Sequence, residues 1–346
     1  MTIIWFIIVL GTIVLVHEFG HYLFAKLFKV YVYEFSIGMG PRICKFKKKK
    51  GETEYSIRCI PIGGYVSLAG EEINDDSKVP KNRKLYAKSG LERFLIMVAG
   101  VTFNFILAFV ILFISALIYG SVALTPIVGE VNKDYPAYEA GIEAGDQILS
   151  VNGDKTSSWN EVQLLIQTSK GQEIKVKLKK ANGNIKTVKL IPMKVEDNDG
   201  NVSYAAGITM NNVKQHGFIN SLKYATNTTV SLVKLMLTTV KSLFTGGVAV
   251  KELSGPVGIY TVVGDQAKLG LENIMYLIAF LSVNVGVINL LPFPAFDGGR
   301  ILFLIIEKIK GSPVSGKLEN TIHSIGFFLL IALMIYVTFY DILRLF

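Results

Sequence analysis

From Phe94 to Gly129 the chain contains no Asp, Glu, Lys or Arg. Such a run exceeds the ~20 apolar residues that carry a helix across the hydrocarbon core of a bilayer. At that depth only a helix or a closed barrel satisfies its own backbone. Two more uncharged stretches, Asn273 to Phe296 and Asn320 to Tyr340, also reach spanning length. The N-terminus is apolar from Ile3 to Val16 and then meets His17-Glu18; counted through Phe28 it spans as well. A cleavable signal peptide is the poorer reading, because no positive region precedes this run and no small-residue site ends it. The sequence therefore predicts a multi-pass α-helical membrane protein with four transmembrane helices. With 51% hydrophobic and 18% charged residues, it also lies well below the roughly 25% charged content of soluble domains. A disordered chain, a fibrous protein and a disulfide-stapled module are excluded.

The net charge of +9 is concentrated in one place. Residues 26 to 93 hold 15 Lys/Arg against 8 Asp/Glu, a net of +7, crowded at both helix ends. By the positive-inside tendency this loop is expected in the cytoplasm. The N-terminus, the segment 120–273 and the C-terminus are then expected on the extracytoplasmic side. Lys47 to Lys50 looks like a nucleic-acid patch in isolation. Its alternating flanks around Lys-Gly-Glu instead suggest the solvated tip of a β-hairpin, with some attraction to anionic membrane lipid, so no nucleic-acid partner is expected. Cys44 and Cys59 fall in the same loop without CxxC spacing and are expected as free thiols.

The segment 120–273 is more balanced, with 16 Lys/Arg and 14 Asp/Glu. PIVGEVN and DQILSVNGDKT read as strands, PAYEAGI as a short helix closed by Gly141. Ser158 with Glu161 three positions on forms a capping-box pattern before an amphipathic helix. EIKVKLKKANGNIKTVKLIPM alternates like a hairpin turning at Asn182-Gly183. Within it, Pro136 to Gly153 (Pro-Ala-x-x-Ala-Gly-Ile-x-x-Gly-Asp-x-Ile-Leu-Ser-Val-Asn-Gly) resembles the core of a PDZ domain of the bacterial protease type. The resemblance implies an inserted α+β PDZ-like domain over 121–195, with a groove where a peptide strand binds or a fold that filters substrates by size. Residues 196–272 are then a linker with an amphipathic helix near 218–244, lying on the membrane face or against the module.

Residues 17–21 read His-Glu-Phe-Gly-His. On a helix, positions i and i+4 share a face, so both imidazoles reach one cation, and Glu18 is placed to take a proton from water bound there. Ionisable side chains inside an apolar segment are costly and point to function. Zinc at a catalytic site takes three protein ligands. His216 and His323 are the remaining histidines, one in the inserted segment and one opening the last span. The stronger candidate is Asp297, a carboxylate at membrane depth just after Pro292 and Pro294, which break the helix and free backbone groups.

Taken together these motifs resemble the site-2 protease family of intramembrane zinc metalloproteases, in its bacterial regulator-of-sigma-E branch. His17-Glu18-x-x-His21 in the first span and Asn289-x-x-Pro292-x-Pro294-x-x-Asp297-Gly298 in the third carry the likeness. So do Gly38-Met39-Gly40-Pro41 at a membrane-associated β-hairpin, Gly100-x-x-x-Asn104 in the second span, Ser254-Gly255-Pro256-Val257-Gly258 before the third, and the PDZ-like insert. The resemblance implies a bacterial inner-membrane enzyme. His17, His21 and Asp297 would bind Zn2+, Glu18 would act as base, and Asn289, with Pro292 and Pro294, would contact substrate. It implies transmembrane protein substrates such as anti-sigma factors or remnant signal peptides. Two departures are a single PDZ-like module, where enterobacterial members have two, and Phe296 where Leu is usual. A PDZ adaptor without catalysis has no use for HExxH in a span, and a metal transporter has no need of Glu18. The expected order is a first transmembrane helix over 1–28, a loop with the β-hairpin over 29–90, a second helix over 91–120, the insert and linker, a third transmembrane segment over 273–310, and a fourth helix over 320–342.

Overall fold

The computed structural model describes residues 1–47, 51–71, 77–122, 125–196, 202–211, 214–247 and 253–344. The expected hairpin-tip lysines Lys48 to Lys50 lie outside them. The chain forms two compact units, one from Met1–Ile111 with Val250–Phe346 and one from Leu112–Ala249.

The first unit begins with α1 (Thr2–Leu27), followed by β1 (Val32–Lys47), β2 (Glu54–Leu68) and α2 (Gly90–Tyr119), whose far end enters the second unit. β1 is more than one arm of a hairpin. Arg42 to Lys47 pair with Glu54 to Arg58, while Glu34 to Ile37 lie between two neighbours: Gly64 to Ser67 in descending register and Glu54 to Ile57 in ascending register. The chain reverses between these runs at Gly38 and Gly40, with φ of +86° and +81°, a region glycine enters without a Cβ penalty. A small sheet results, with Gly64–Leu68 at one side, packed on α1.

The second unit contains β3 (Ser121–Val122), β4 (Val128–Val131), α3 (Pro136–Glu139), β5 (Gln147–Val151), β6 (Asp154–Lys155), α4 (Trp159–Thr168), β7 (Ile174–Lys179), β8 (Ile185–Leu190), β9 (Met193–Glu196), β10 (Val202–Ala205), β11 (Ile208–Met210), β12 (Lys214–Gln215) and α5 (Phe218–Phe244). Strands β6-β5-β7-β8 form one antiparallel sheet, and β11 pairs with β4. Ile148, Val151, Val162, Ile174, Val176 and Leu178 fill the core together with Ala206, and Ile208 and Met210 pack on it. The module therefore runs to Met210, past the boundary expected at 195, because a distant strand completes its β4 edge. Ser158 caps α4 by accepting the Glu161 N–H at 3.3 Å, but the Glu161 carboxylate receives the Ser157 N–H at 2.6 Å instead of that of Ser158. Ser231 of α5 meets the Ser158 hydroxyl at 2.5 Å, both buried, and Leu232 and Ala225 are buried beside it. One face of α5 thus packs against the module. Between α4 and residues 204–209 lies a groove of about 770 Å³, lined by Trp159, Val162 and Ile166.

The chain returns to the first unit with α6 (Pro256–Leu269), α7 (Leu271–Leu290), α8 (Asp297–Lys310) and α9 (Gly316–Leu343). Four helices, α1, α2, α7 and α9, are long and apolar enough to cross a membrane among the described residues. The third differs from its expected extent of 273–310. α7 stops at Leu290, Pro292 and Pro294 occupy an irregular turn, and α8 is a separate helix carrying Arg300, Glu307, Lys308 and Lys310. Proline lacks the N–H a continuing helix requires. α1, α6 and α7 share an apolar cluster of Phe6, Val9, Ile13, Val263, Ile274 and Leu277. Small residues set how closely these helices approach, as expected where lipid removes most of the hydrophobic drive. A Cβ on Gly20 would lie 2.6 Å from the Ala99 carbonyl oxygen of α2.

Candidate metal centre

α1 carries His17 and His21 one turn apart, both buried, at 7% and 8% exposure. Asp297 is the first residue of α8, just past the proline turn. The three meet. His17 Nε2 lies 3.2 Å from His21 Nε2, and Asp297 Oδ2 lies 3.1 Å from the first and 3.3 Å from the second. A tetrahedral zinc with ligands at ~2.0–2.1 Å has ligand-to-ligand edges of about 3.3–3.4 Å. The triangle of donors thus has nearly the dimensions of one face of that tetrahedron. Asp297 Oδ2 is also buried without a hydrogen-bond partner, a costly state that a cation removes. Both observations fit a metal ion held by these three side chains.

The surroundings orient the ligands for this purpose. His21 Nδ1–H donates to the Ile96 carbonyl of α2 at 2.8 Å, which leaves Nε2 unprotonated for a metal. On His17 the outward nitrogen Nδ1 faces the Asn104 amide at 3.3 Å, and Asn104 Oδ1 is buried without a partner. With the amide turned so that Oδ1 faces the ring, one contact satisfies both groups and assigns His17 the same tautomer. Ser282 of α7 donates to the Asn104 backbone carbonyl at 2.9 Å and ties the third span to this level. Gly100, one turn before Asn104, leaves the room the rings occupy. A Cβ there would lie 2.8 Å from His21 Cε1 and 2.9 Å from His17 Cε1, and closer still to His21 Nε2.

Glu18 is half-buried beside His17, and its carboxylate accepts the backbone N–H of Val66 in β2 at 3.1 Å. Glu18, His17, His21, Asp297 and Asn289 all line one cavity of about 350 Å³. Tyr65 forms part of its wall. The Tyr65 hydroxyl donates to Glu34 at 2.7 Å, so it is engaged with the sheet. Arg300, one turn after Asp297, also lines the cavity and pairs with Glu71 in the turn after β2. Pro292 is exposed and Pro294 abuts Gly326 of α9; neither is among the side chains lining the cavity. Their place in the structure is the turn that delivers Asp297. His216 sits over Gly120 in the inserted unit, and His323 bonds backbone. The Val66 N–H, Tyr65 and the Arg300–Glu71 pair carry no spacing signal in the sequence. Only the pattern Gly100-x-x-x-Asn104 pointed toward α2.

Paired imidazoles and a distant carboxylate, gathered between apolar helices with a glutamate alongside, define a zinc peptidase working within the membrane. Comparison with known proteins agrees. The description Peptidase family M50 matches residues 5–333. A Clostridium acetobutylicum protein with a provisional zinc metalloprotease name is 39% identical over 97% of this chain and 96% of its own. The regulator of sigma-W protease RasP of Bacillus subtilis is 33% identical over 100% of this chain and 99% of its own. The zinc metalloprotease RasP of Bacillus licheniformis is likewise 33% identical, over 100% and 99%. The chain belongs to peptidase family M50, the site-2 proteases, and is an intramembrane zinc metalloprotease of multi-pass architecture.

Proposed function

We propose that this protease cleaves peptide bonds within transmembrane segments of membrane proteins, using His17, His21 and Asp297 as metal ligands and Glu18 as general base. The carrying observation is the triangle of 3.1, 3.2 and 3.3 Å among the three ligand atoms with Glu18 in the same cavity. A zinc ion held there supplies Lewis-acid polarisation of the scissile carbonyl and a more acidic water. Glu18 takes the proton of the attacking water and returns it to the leaving amine. Its orientation comes from the Val66 N–H, which occupies one carboxylate oxygen and leaves the other for the proton. Asn289 donates its side-chain N–H to the substrate carbonyl oxygen as negative charge develops there. A helical substrate must unwind to expose an amide, and the β2 segment Gly64–Leu68, beside Glu18, offers backbone groups to an unwound strand.

The charge balance of the 26–93 loop supports a cytoplasmic position for the sheet and for this end of α1. The inserted module is then extracytoplasmic. Its α4 groove suits an extended peptide, with Trp159, Val162 and Ile166 as apolar contacts. The similarity to a regulator of sigma-W protease supports membrane-anchored anti-sigma factors as a substrate class. The test is cleavage of such a substrate by the purified full-length protein in detergent, before and after chelation. Activity should vanish with chelator, return with zinc and fall by at least ~10²-fold in Glu18→Gln. Turnover near the parent rate in Glu18→Gln would overturn the assignment.

A further inference from the structure

His323 is used by neither the metal cluster nor the proposed chemistry, yet it touches the segment that delivers Asp297. Its Nδ1 accepts the backbone N–H of Ala295 at 3.1 Å. Ala295 has a φ of +82°, a left-handed conformation that is disfavoured for a residue with a Cβ. One turn along α9, Gly326 abuts the same turn, with an added Cβ falling 2.6 Å from the Pro294 carbonyl oxygen. Phe303 of α8 packs against the imidazole with ring centres 5.7 Å apart. α9 therefore grips the Pro292–Asp297 turn through a hydrogen bond and a close backbone approach at successive turns. A disfavoured backbone conformation persists where the surroundings over-determine it, and here it lies two residues before a metal ligand.

We propose that His323 is a positioning residue for the metal centre: by accepting the Ala295 N–H it holds the left-handed turn that aims the Asp297 carboxylate at His17 and His21. This rests on the reading of Asp297 as a metal ligand. Only an acceptor at the Nδ1 position is required. The side-chain oxygen of Asn reaches that position, whereas the polar atoms of Gln extend toward Nε2. Glycine at position 295 adopts the same φ without the Cβ penalty, so it removes most of the need for the grip.

The experiment measures zinc affinity of the purified full-length protein by competition with a chromogenic chelator, together with the visible spectrum of the Co2+ form. His323→Gln should weaken zinc about 10-fold or more, in the range of lost outer-shell partners, and alter the Co2+ bands. His323→Asn should stay within about 3-fold of the parent. Ala295→Gly combined with His323→Gln should recover most of the loss. Equal affinities for the Gln variant and the parent, equal losses for Asn and Gln, or no recovery with Ala295→Gly would each overturn the proposal. Asp297→Ala serves as the reference. If it leaves zinc affinity unchanged, the ligand assignment fails and this inference with it. If it abolishes binding while His323→Gln does nothing, only the inference fails.

Discussion

The backbone N–H of Val66 donates to the carboxylate of Glu18 at 3.1 Å. This bond joins a β-sheet outside the spans to the acid that follows His17, the first of the two histidines proposed as metal ligands. It fixes where the carboxylate lies relative to His17 without drawing it into the ligand set. Glu18→Gln retains an acceptor for Val66 but cannot take a proton. Cleavage should fall by ~10²–10⁴-fold, the usual contribution of a general base, while zinc content stays near that of the parent by atomic absorption.

Gly100 of α2 stands directly against the two imidazoles, where a Cβ would lie 2.8 Å from His21 Cε1 and 2.9 Å from His17 Cε1. Gly100→Ala places a methyl group among His17 and His21 atoms that sit on a packed helix and have little freedom to move. The expected result is loss of zinc and activity with helical content preserved by circular dichroism. Full metal occupancy in this variant would show that the rings stand elsewhere.

Asn104 bears on His17 through a 3.3 Å contact. With the amide turned so that its carbonyl oxygen faces Nδ1–H, it fixes the tautomer that exposes Nε2. Asn104→Ala should weaken zinc by about 10–100-fold, as loss of outer-shell partners does. Asn104→Asp keeps the acceptor and should bind zinc more tightly than the alanine variant in the same competition assay.

Glu34 sits buried in the sheet that supports Val66. Burial alone would raise its pKa, but hydrogen bonds from Ser56, Tyr65 and Arg58 and the charge of Arg42 hold it at about 2. A carboxylate depressed in the folded state adds stability above its unfolded value of ~4.3 and loses that contribution as pH falls toward the folded value. The sheet should therefore weaken between pH 4 and 2. Glu34→Gln should lower the thermal midpoint at pH 7 and flatten its decline on acidification relative to the parent.

Much of the site was legible because its signals are local. His17 and His21 share a face by helical spacing, and Asp297 stands out as a charge after two prolines at the end of an uncharged run of spanning length. The strands of the inserted module showed in their alternation and in the Asn152-Gly153 turn. What was not legible depends on partners far apart in sequence. A hairpin pattern could not reveal that Glu34 to Ile37 pair on both sides. The pairing of Ile208 with Val131 extends the module beyond its sequence motif. The third span ends earlier than its uncharged length suggested, since the prolines and the charges of α8 act together only once the turn is formed. Gly100 was flagged only through the Gly100-x-x-x-Asn104 pattern, while the contact of His323 with the Ala295 N–H is a contact between distant segments that no spacing rule encodes.

The most direct measurement is X-ray absorption at the zinc edge on the purified full-length protein and its Asp297→Ala variant. The expected spectrum shows two imidazole nitrogens together with oxygen donors at ~2.0–2.2 Å and no sulfur, and the variant should lose the ion. A shell containing three imidazoles or sulfur, or a spectrum unchanged by Asp297→Ala, would contradict a centre built from His17, His21 and Asp297.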